Sequence, residues 1–363
     1  MSCKVKPSQL GCRIRMPRIG LGTWRMQDSE KNEEALHKAL EIGYRHLDTA
    51  FIYGNETSMG KVLKKWYSEG HSREEVFITS KLPPFGLRRD EVGKYLCMTL
   101  EKLQTDYIDL YIAHMPFGFY PPKNLTLDPS QSGALDWSND PNEKIKWDYC
   151  TDHVDMWKGF EKQYKAGRAK NIGVSNFNVK QLERIMNNCE IRPHCLQVEM
   201  HPFLQQQHLS CYCRCNDMVL VGYSPFASFG NAVAKNLKSP FDHESVKKVA
   251  KEIGCTPAQA ILAFIMHLGA IPIPKTNDEK QMKENFEAQN IELNLKQMRL
   301  LKKLHIGEEA RVFNFREWDG ILDHPEYPWK LPESLRCKSH SKKSGKKSKA
   351  GKKEKAPEKK AKK

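Results

Sequence analysis

"VFITSK", residues 76–81, and "YIDLYIAH", residues 107–114, are short, nearly continuous apolar runs, and each ends on a residue that carries chemistry. Strands with one wet face alternate apolar and polar residues, whereas runs like these suit strands buried on both faces, as in a parallel sheet covered by helices. Outward from this pair the pattern repeats. It predicts strand 19–22, helix 29–42, strand 46–48, helix 58–69, strand 76–81, helix 88–103 and strand 107–113. After an interruption come helix 153–166, strand 170–174, helix 179–188, strand 195–199, helix 204–216, strand 219–223, helices within 243–266 and strand 271–273. Eight strands alternating with helices in one chain of this length predict an α/β fold, a closed (β/α)8 TIM barrel. Thr256-Pro257 punctuates as an N-cap followed by proline at the first helical position.

Two stretches stand outside the repeat. "CRIRMPRIG", residues 12–20, predicts a small N-terminal β-hairpin closing the barrel floor. Residues 115–152, rich in Pro, Asp, Asn, Lys and Trp, read as a long loop after the fourth strand. Loops of that length are uncommon unless they serve function or are disordered.

The formal charge of +15 on 363 residues is unevenly spread. Residues 341–363 hold twelve Lys and two Glu, so the barrel region is near neutral. This tail has no apolar residue larger than Ala or Pro, cannot offset its ordering entropy, and is expected to be disordered. The expected division is therefore a barrel over 1–335 and a Lys-rich tail over 336–363. No run of about eighteen apolar residues and no signal-peptide stretch is present, which suggests a cytoplasmic protein. Eleven cysteines without a Cys-x-x-Cys pair suit free thiols in a reducing compartment. The i, i+2, i+4 group Cys211, Cys213, Cys215 is a poor metal site, because on a helix only its outer members share a face.

Barrel active sites lie at the C-terminal ends of the strands. There Asp48 closes the second strand with Tyr53 in the following loop, Lys81 closes the third and His114 the fourth. Singly they could be a helix cap, a packing phenol, an exposed strand end and a core imidazole; jointly they aim four functional groups at one place. A phenol is a poor acid at neutral pH, and a neighbouring ammonium is expected to lower its pKa. Lys81 is that neighbour, Asp48 holds Lys81 protonated, and His114 donates to a substrate oxygen. A tuned acid beside a donor fits proton delivery during carbonyl reduction, with the hydride coming from a cofactor.

With "MPRIGLGTW", "GYRHLDTAFIYGNE", "FITSKLP", "LYIAHMP", "GRAKNIGVSNFN", "LQVEMHP", "GYSPF" and "IPIPKTND", the chain over roughly 10–332 resembles the aldo-keto reductase family, of the aldose reductase and aldehyde reductase kind. No Gly-x-Gly-x-x-Gly follows a strand, so a Rossmann site is not supported. The resemblance implies a NADP(H)-dependent reductase of aldehydes and ketones, of the NADP-linked alcohol dehydrogenase type, with Tyr53, Asp48, Lys81 and His114 catalytic and Tyr53 the general acid. It implies that Gly22, Thr23 and Trp24 border the nicotinamide, that Ser175, Asn176 and Gln197 hold its carboxamide with Asp48 nearby, and that Tyr223 stacks on it. Ser224, Phe226 and Ser228 would follow the pyrophosphate, Lys275, Thr276 and Asn277 the 2′-phosphate and ribose, and Glu284 and Asn285 the adenine. Substrate would meet Trp24, Tyr53, His114 and Met115. Ser175 and Asn176 could equally cap the helix that follows.

Three departures stand out. Gln281 replaces the family's usual phosphate-binding arginine, with Asp278 and Glu279 close by, so the preference for NADPH over NADH is expected to be weaker. Met115 stands where a tryptophan is common, giving a more adaptable wall. The 115–152 loop is long and, with the C-terminal "FNFREWDGILDHPEYPW", is where substrate choice is expected to reside. His114, in place of the glutamate of double-bond reductases, points to carbonyl substrates. The resemblance also implies a monomer, and the lack of a long apolar run predicts no membrane span. The tail fits a solvated extension, a nuclear-localisation signal, or a weak, salt-sensitive tether to nucleic acid or acidic protein. A competing reading makes the chain a cofactor-binding regulatory or scaffold protein with little turnover.

Overall fold

The computed structural model describes residues 14–27, 29–121, 145–228 and 237–329, whose backbone forms one sheet of eight parallel strands wrapped by helices. β1 (Leu21–Gly22), β2 (His46–Asp48), β3 (Phe77–Leu82) and β4 (Leu110–Ala113) begin it. β5 (Gly118–Phe119) and β6 (Trp147–Asp148) pair only with each other, as an antiparallel ribbon. β7 (Ile172–Ser175), β8 (Cys195–Glu199), β9 (Val219–Tyr223) and β10 (Ala270–Ile273) complete the sheet. The ring is then closed by the amides of Gly20 and Gly22, which donate to the carbonyls of Pro272 and Pro274 at 3.1 and 3.0 Å. A side chain at Gly22 would bring its Cβ to 2.9 Å from the Ile273 carbonyl oxygen, so this seam requires a glycine. The barrel expected from the apolar runs is the observed fold.

Helices α1 (Glu30–Ile42), α2 (Glu56–Ser68) and α3 (Arg89–Leu103) follow the first three strands; α4 (His153–Lys165), α5 (Val179–Met186) and α6 (Gln207–Cys215) follow β6, β7 and β8. After β9 come α7 (Glu244–Ile253) and α8 (Pro257–His267), and after β10 come α9 (Glu279–Glu287) and α10 (Leu295–Lys302). Thr256 caps α8 in a reciprocal box with Gln259, as its sequence predicts. Among the described residues no single helix is long and apolar enough to cross a membrane.

Strand parity positions the site. Ile14, Met16, Phe77, Leu110, Ile112, Cys195, Val219, Val221, Ile271 and Ile273 fill the barrel interior. With a side-chain period of two, the next inward residues at the C-terminal ends are Asp48, Lys81, His114, Ser175, Gln197, Tyr223 and Lys275. The apolar interior ends where the polar layer begins.

The sequence and the structure differ at several places. Residues 14–20 form no strand; the rest of the expected hairpin lies outside the described residues. They lie at the barrel floor, as expected, with Ile14 and Met16 buried in the barrel core. The fourth strand starts at Leu110 rather than 107, Ile108 making only an isolated bridge to Ala169. α6 starts at Gln207 rather than 204, because His201 and Leu204 pair in a tight turn. The described parts of 115–152 include the β5–β6 ribbon, whereas residues 122–144, the 335/336 boundary and the Lys-rich tail lie outside the described residues.

Candidate active site

The ammonium of Lys81 donates to the Asp48 carboxylate at 2.5 Å and to the Thr49 carbonyl at 2.6 Å, and the Gln197 amide donates to the other Asp48 oxygen at 2.8 Å. Lys81 is wholly buried and Asp48 nearly so. Burial pushes the Asp48 pKa up and the Lys81 pKa down, and their mutual attraction opposes both shifts. Two such charges are tolerated in an interior only when paired and further hydrogen-bonded, as here.

Tyr53 ends a single 3-10 turn, Phe51–Tyr53, that leaves β2 and is stopped by Gly54 in the left-handed region. The Lys81 ammonium lies over its ring, 5.0 Å from the centroid, and the His114 ring meets it edge-on at 5.6 Å. The structure corrects the expected direction of the phenol's pKa. Burial, joined by the Asp48 carboxylate and Tyr223, holds it well above the usual tyrosine value. The phenol is thus firmly protonated at neutral pH. Burial, then the Lys81 charge, keeps His114 well below its usual value, so it is a neutral imidazole there.

Asp48, Tyr53 and His114 open onto a cleft of about 990 Å³ across the top of the barrel, with Lys81 buried behind them. Gly22, Thr23 and Trp24 form one wall, fixed by Asn55, whose amide donates to the carbonyls of Thr23 and Met26 at 2.8 and 3.0 Å. Asn55 is buried, and the sequence alone did not single it out. Ser175, Asn176, Gln197 and Tyr223 line the cleft beside Asp48. Asn176 holds left-handed backbone (φ 66°), accepts from the Tyr223 hydroxyl at 2.8 Å and donates to the His114 carbonyl at 3.1 Å. The helix-cap alternative for Ser175 and Asn176 fails, since Asn178 caps α5 in a reciprocal box with Gln181. Their side chains stay available to the cleft.

Beyond Tyr223, residues Ser224, Phe226 and Ser228 continue the wall. Ser224, Ala227 and Ser228 adopt φ of 51°, 55° and 48°. Left-handed backbone at non-glycine residues costs of order 1 kcal/mol each and clusters at functional sites, and such turns gather N–H groups into anion-binding concavities. This loop fits a pyrophosphate. Lys275, Gln281, Glu284 and Asn285 line the far end. Partial burial of its ammonium and the Arg25 guanidinium hold Lys275 below the usual lysine value. Thr276 and Asn277 are not on the wall: the Thr276 hydroxyl donates to Gln281 Oε1 at 2.8 Å, and the Asn277 amide reaches Asn32 at 3.4 Å. Nearby negative charge is partly committed, with Asp278 capping α9 and Glu279 paired to Lys283 at 2.6 Å.

The opposite end is apolar: Trp24, Met115, Phe119, Phe313, Phe315 and Trp318 face it. Glu199, which the sequence did not single out, anchors this wall. Its wholly buried carboxylate accepts from the amides of Val312 and Phe313 at 2.8 and 2.9 Å and from His201 at 3.0 Å. Phe313 then packs edge-on against Trp24 and Tyr223, at 5.3 and 5.8 Å.

A parallel barrel with a buried carboxylate–ammonium pair, a phenol and a neutral imidazole at the mouth of a phosphate-suited cleft defines a barrel oxidoreductase. Comparison with known proteins agrees. The Aldo/keto reductase family model matches residues 18–306, and the chain belongs to that family. It is 37% identical over 299 residues to aldose reductase of Encephalitozoon cuniculi, covering 80% of this chain and 90% of that protein. It is 36% identical over 326 residues to aldo-keto reductase family 1 member A1 of Xenopus tropicalis, covering 88% and 95%. Among solved structures, aldose reductase of Schistosoma japonicum superposes with a TM-score of 0.75 at 33% identity, covering 90% of this chain and 99% of that one. An aldo-keto reductase of Bombyx mori in complex with NADP gives 0.74 at 29% identity, with the same coverage. Together these support a nicotinamide cofactor and the reduction of carbonyl compounds.

Proposed function

We propose that the protein reduces aldehydes and ketones to alcohols with NADPH, Tyr53 serving as the proton donor. The observation that carries this reading is the buried Asp48–Lys81 pair set against the Tyr53 ring, beside a neutral His114, with Asp48, Tyr53 and His114 all lining the cleft. When bound, the cofactor supplies the hydride. The neutral His114 imidazole donates an N–H to the substrate carbonyl oxygen and orients it. As that oxygen gains negative charge it takes the Tyr53 proton, and the Lys81 ammonium over the ring stabilises the phenolate left behind. Asp48 keeps Lys81 charged through the cycle. In oxidation the same phenolate recovers the proton.

Ser175, Asn176 and Gln197 suit the carboxamide of the cofactor, Tyr223 its ring, and Lys275 its 2′-phosphate. With Gln281 in the arginine's place, the preference for NADPH over NADH rests chiefly on Lys275. The test is NADPH consumption with a panel of aromatic and aliphatic carbonyls. Tyr53→Phe is expected to lower kcat by roughly 10²–10⁴ while cofactor binding, read by fluorescence, is kept. A wild-type protein that binds NADPH and consumes none across the panel would sink the reductase reading and favour the regulatory or scaffold one.

A further inference from the structure

Trp147 lies opposite Phe119 in the β5–β6 ribbon and is buried, yet it does not line the cleft. It stands behind two residues that do. Its ring meets Phe119 at 6.1 Å, nearly perpendicular, and Trp318 at 6.1 Å, tilted by 33°. Its indole N–H donates to the Asp319 carbonyl at 2.8 Å, joining segments 172 residues apart in the chain. Gly320 makes that approach feasible: its φ of +82° suits glycine, and an added Cβ would lie 3.0 Å from the indole nitrogen. The loop after β4 and the C-terminal segment, two separate parts of the chain, thus share one buried side chain.

The neighbouring wall is similarly constrained. Phe315, in left-handed backbone (φ 53°), packs on Trp318 at 4.8 Å and on Phe117 at 5.9 Å. Such a backbone persists only where its surroundings over-determine it. Meanwhile the ribbon has its own ties: Arg88 to Asp148 at 2.6 Å, and His324 to the Asp148 carbonyl at 3.1 Å. Removing Trp147 therefore leaves the ribbon attached and frees the wall.

We propose that Trp147 is a positioning residue for substrate specificity: by binding the β5–β6 ribbon to Asp319 and Trp318, it fixes the spacing of Phe119 and Trp318 and so the width of the apolar end of the cleft. The inference rests on the carbonyl-reductase reading for its kinetic consequence, and the ligand class it selects is bulky aromatic carbonyls. Small aliphatic aldehydes, which do not span the wall, are indifferent to it.

The experiment compares KM and kcat for a naphthaldehyde and for propanal in wild type, Trp147→Ala, Trp147→Phe, Trp318→Ala and the double alanine variant. Trp147→Ala is expected to raise KM for the naphthaldehyde about tenfold, and that for propanal by about twofold at most. Trp147→Phe, which keeps a ring but loses the donor, should fall between, at about threefold. The double variant should be no worse than Trp318→Ala alone, because the two act as a unit. Equal losses on both aldehydes, or single effects that multiply in the double variant, overturn the proposal. Limited proteolysis supplies a readout independent of turnover: Trp147→Ala should become cleavable in both 145–152 and 312–328 while the barrel resists. Protection equal to wild type also overturns it. A wild type that reduces neither aldehyde would count against the reductase reading alone, since the proteolysis still reports the coupling.

Discussion

The two ends of the cleft are built on opposite plans. At the catalytic end Asp48 and Lys81 are buried, and several side chains around them are committed: Gln197 to Asp48, Tyr223 to Asn176, Thr23 to the Asp48 carbonyl. At the phosphate end Lys275, Asn277 and Gln281 are exposed, and the Thr276 hydroxyl is turned toward Gln281. Chemistry that needs charges in a low-dielectric site is preorganised at the first end. The second lies in reach of solvent, where charge interactions are screened and single changes matter less, as suits the strongly hydrated phosphate proposed for it. Reaction type is therefore the rigid property of this chain and cofactor preference the adjustable one.

The largest expected departure comes from breaking the buried pair. Lys81→Met leaves the Asp48 carboxylate in the interior with Gln197 and without a counter-charge, which should cost about 3–5 kcal/mol of stability and abolish measurable turnover. Urea unfolding with NADPH-linked assays checks it; an unchanged midpoint would mean that the pair is no more rigidly built than the phosphate end.

A smaller effect is set by pH. His46, two residues before Asp48 on β2, is buried with a hydrogen bond to the Thr79 hydroxyl at 3.1 Å, and burial, then the Lys81 charge, push its pKa down to about 3. The unfolded chain, with a pKa near ~6.5, takes up this proton first as pH falls, so stability present above pH ~6.5 drains away below it. His46 alone should remove about 2 kcal/mol between pH 7 and pH 5. Comparing urea midpoints at the two pH values for wild type and His46→Gln checks it, the variant showing the shallower loss. Equal slopes would remove His46 from the account of the buried end.

The smallest effect belongs to the open end. Gln281→Arg should tighten NADPH about tenfold, close to one charge-assisted contact, and leave NADH unchanged. Cofactor titration by fluorescence measures both. A comparable gain for NADH would show that residue 281 does not face the 2′-phosphate.

Much of this was legible in the sequence for a physical reason. Barrel strands are buried on both faces, so they appear as apolar runs, and a parity of two carries the eye from Phe77 to Lys81 and from Leu110 to His114. What escaped depends on distance and burial. The direction of the Tyr53 shift required the depth of the phenol and the placement of Asp48. The turning of Thr276 toward Gln281, the capping of α5 by Asn178 rather than its neighbours, and the hold of Glu199 on Phe313 are all contacts that no spacing announces. Trp147 and Asp319 meet across 172 residues of chain.

The seam that closes the barrel has a direction. Its acceptors are the carbonyls of Pro272 and Pro274, and proline has no amide hydrogen to return, so Gly20 and Gly22 give bonds there and receive none from those two residues. Elsewhere around the ring neighbouring strands can trade donors both ways. The barrel is thus a hoop fastened by a one-way clasp, and in mechanical terms the first and last strands are where the hoop yields soonest.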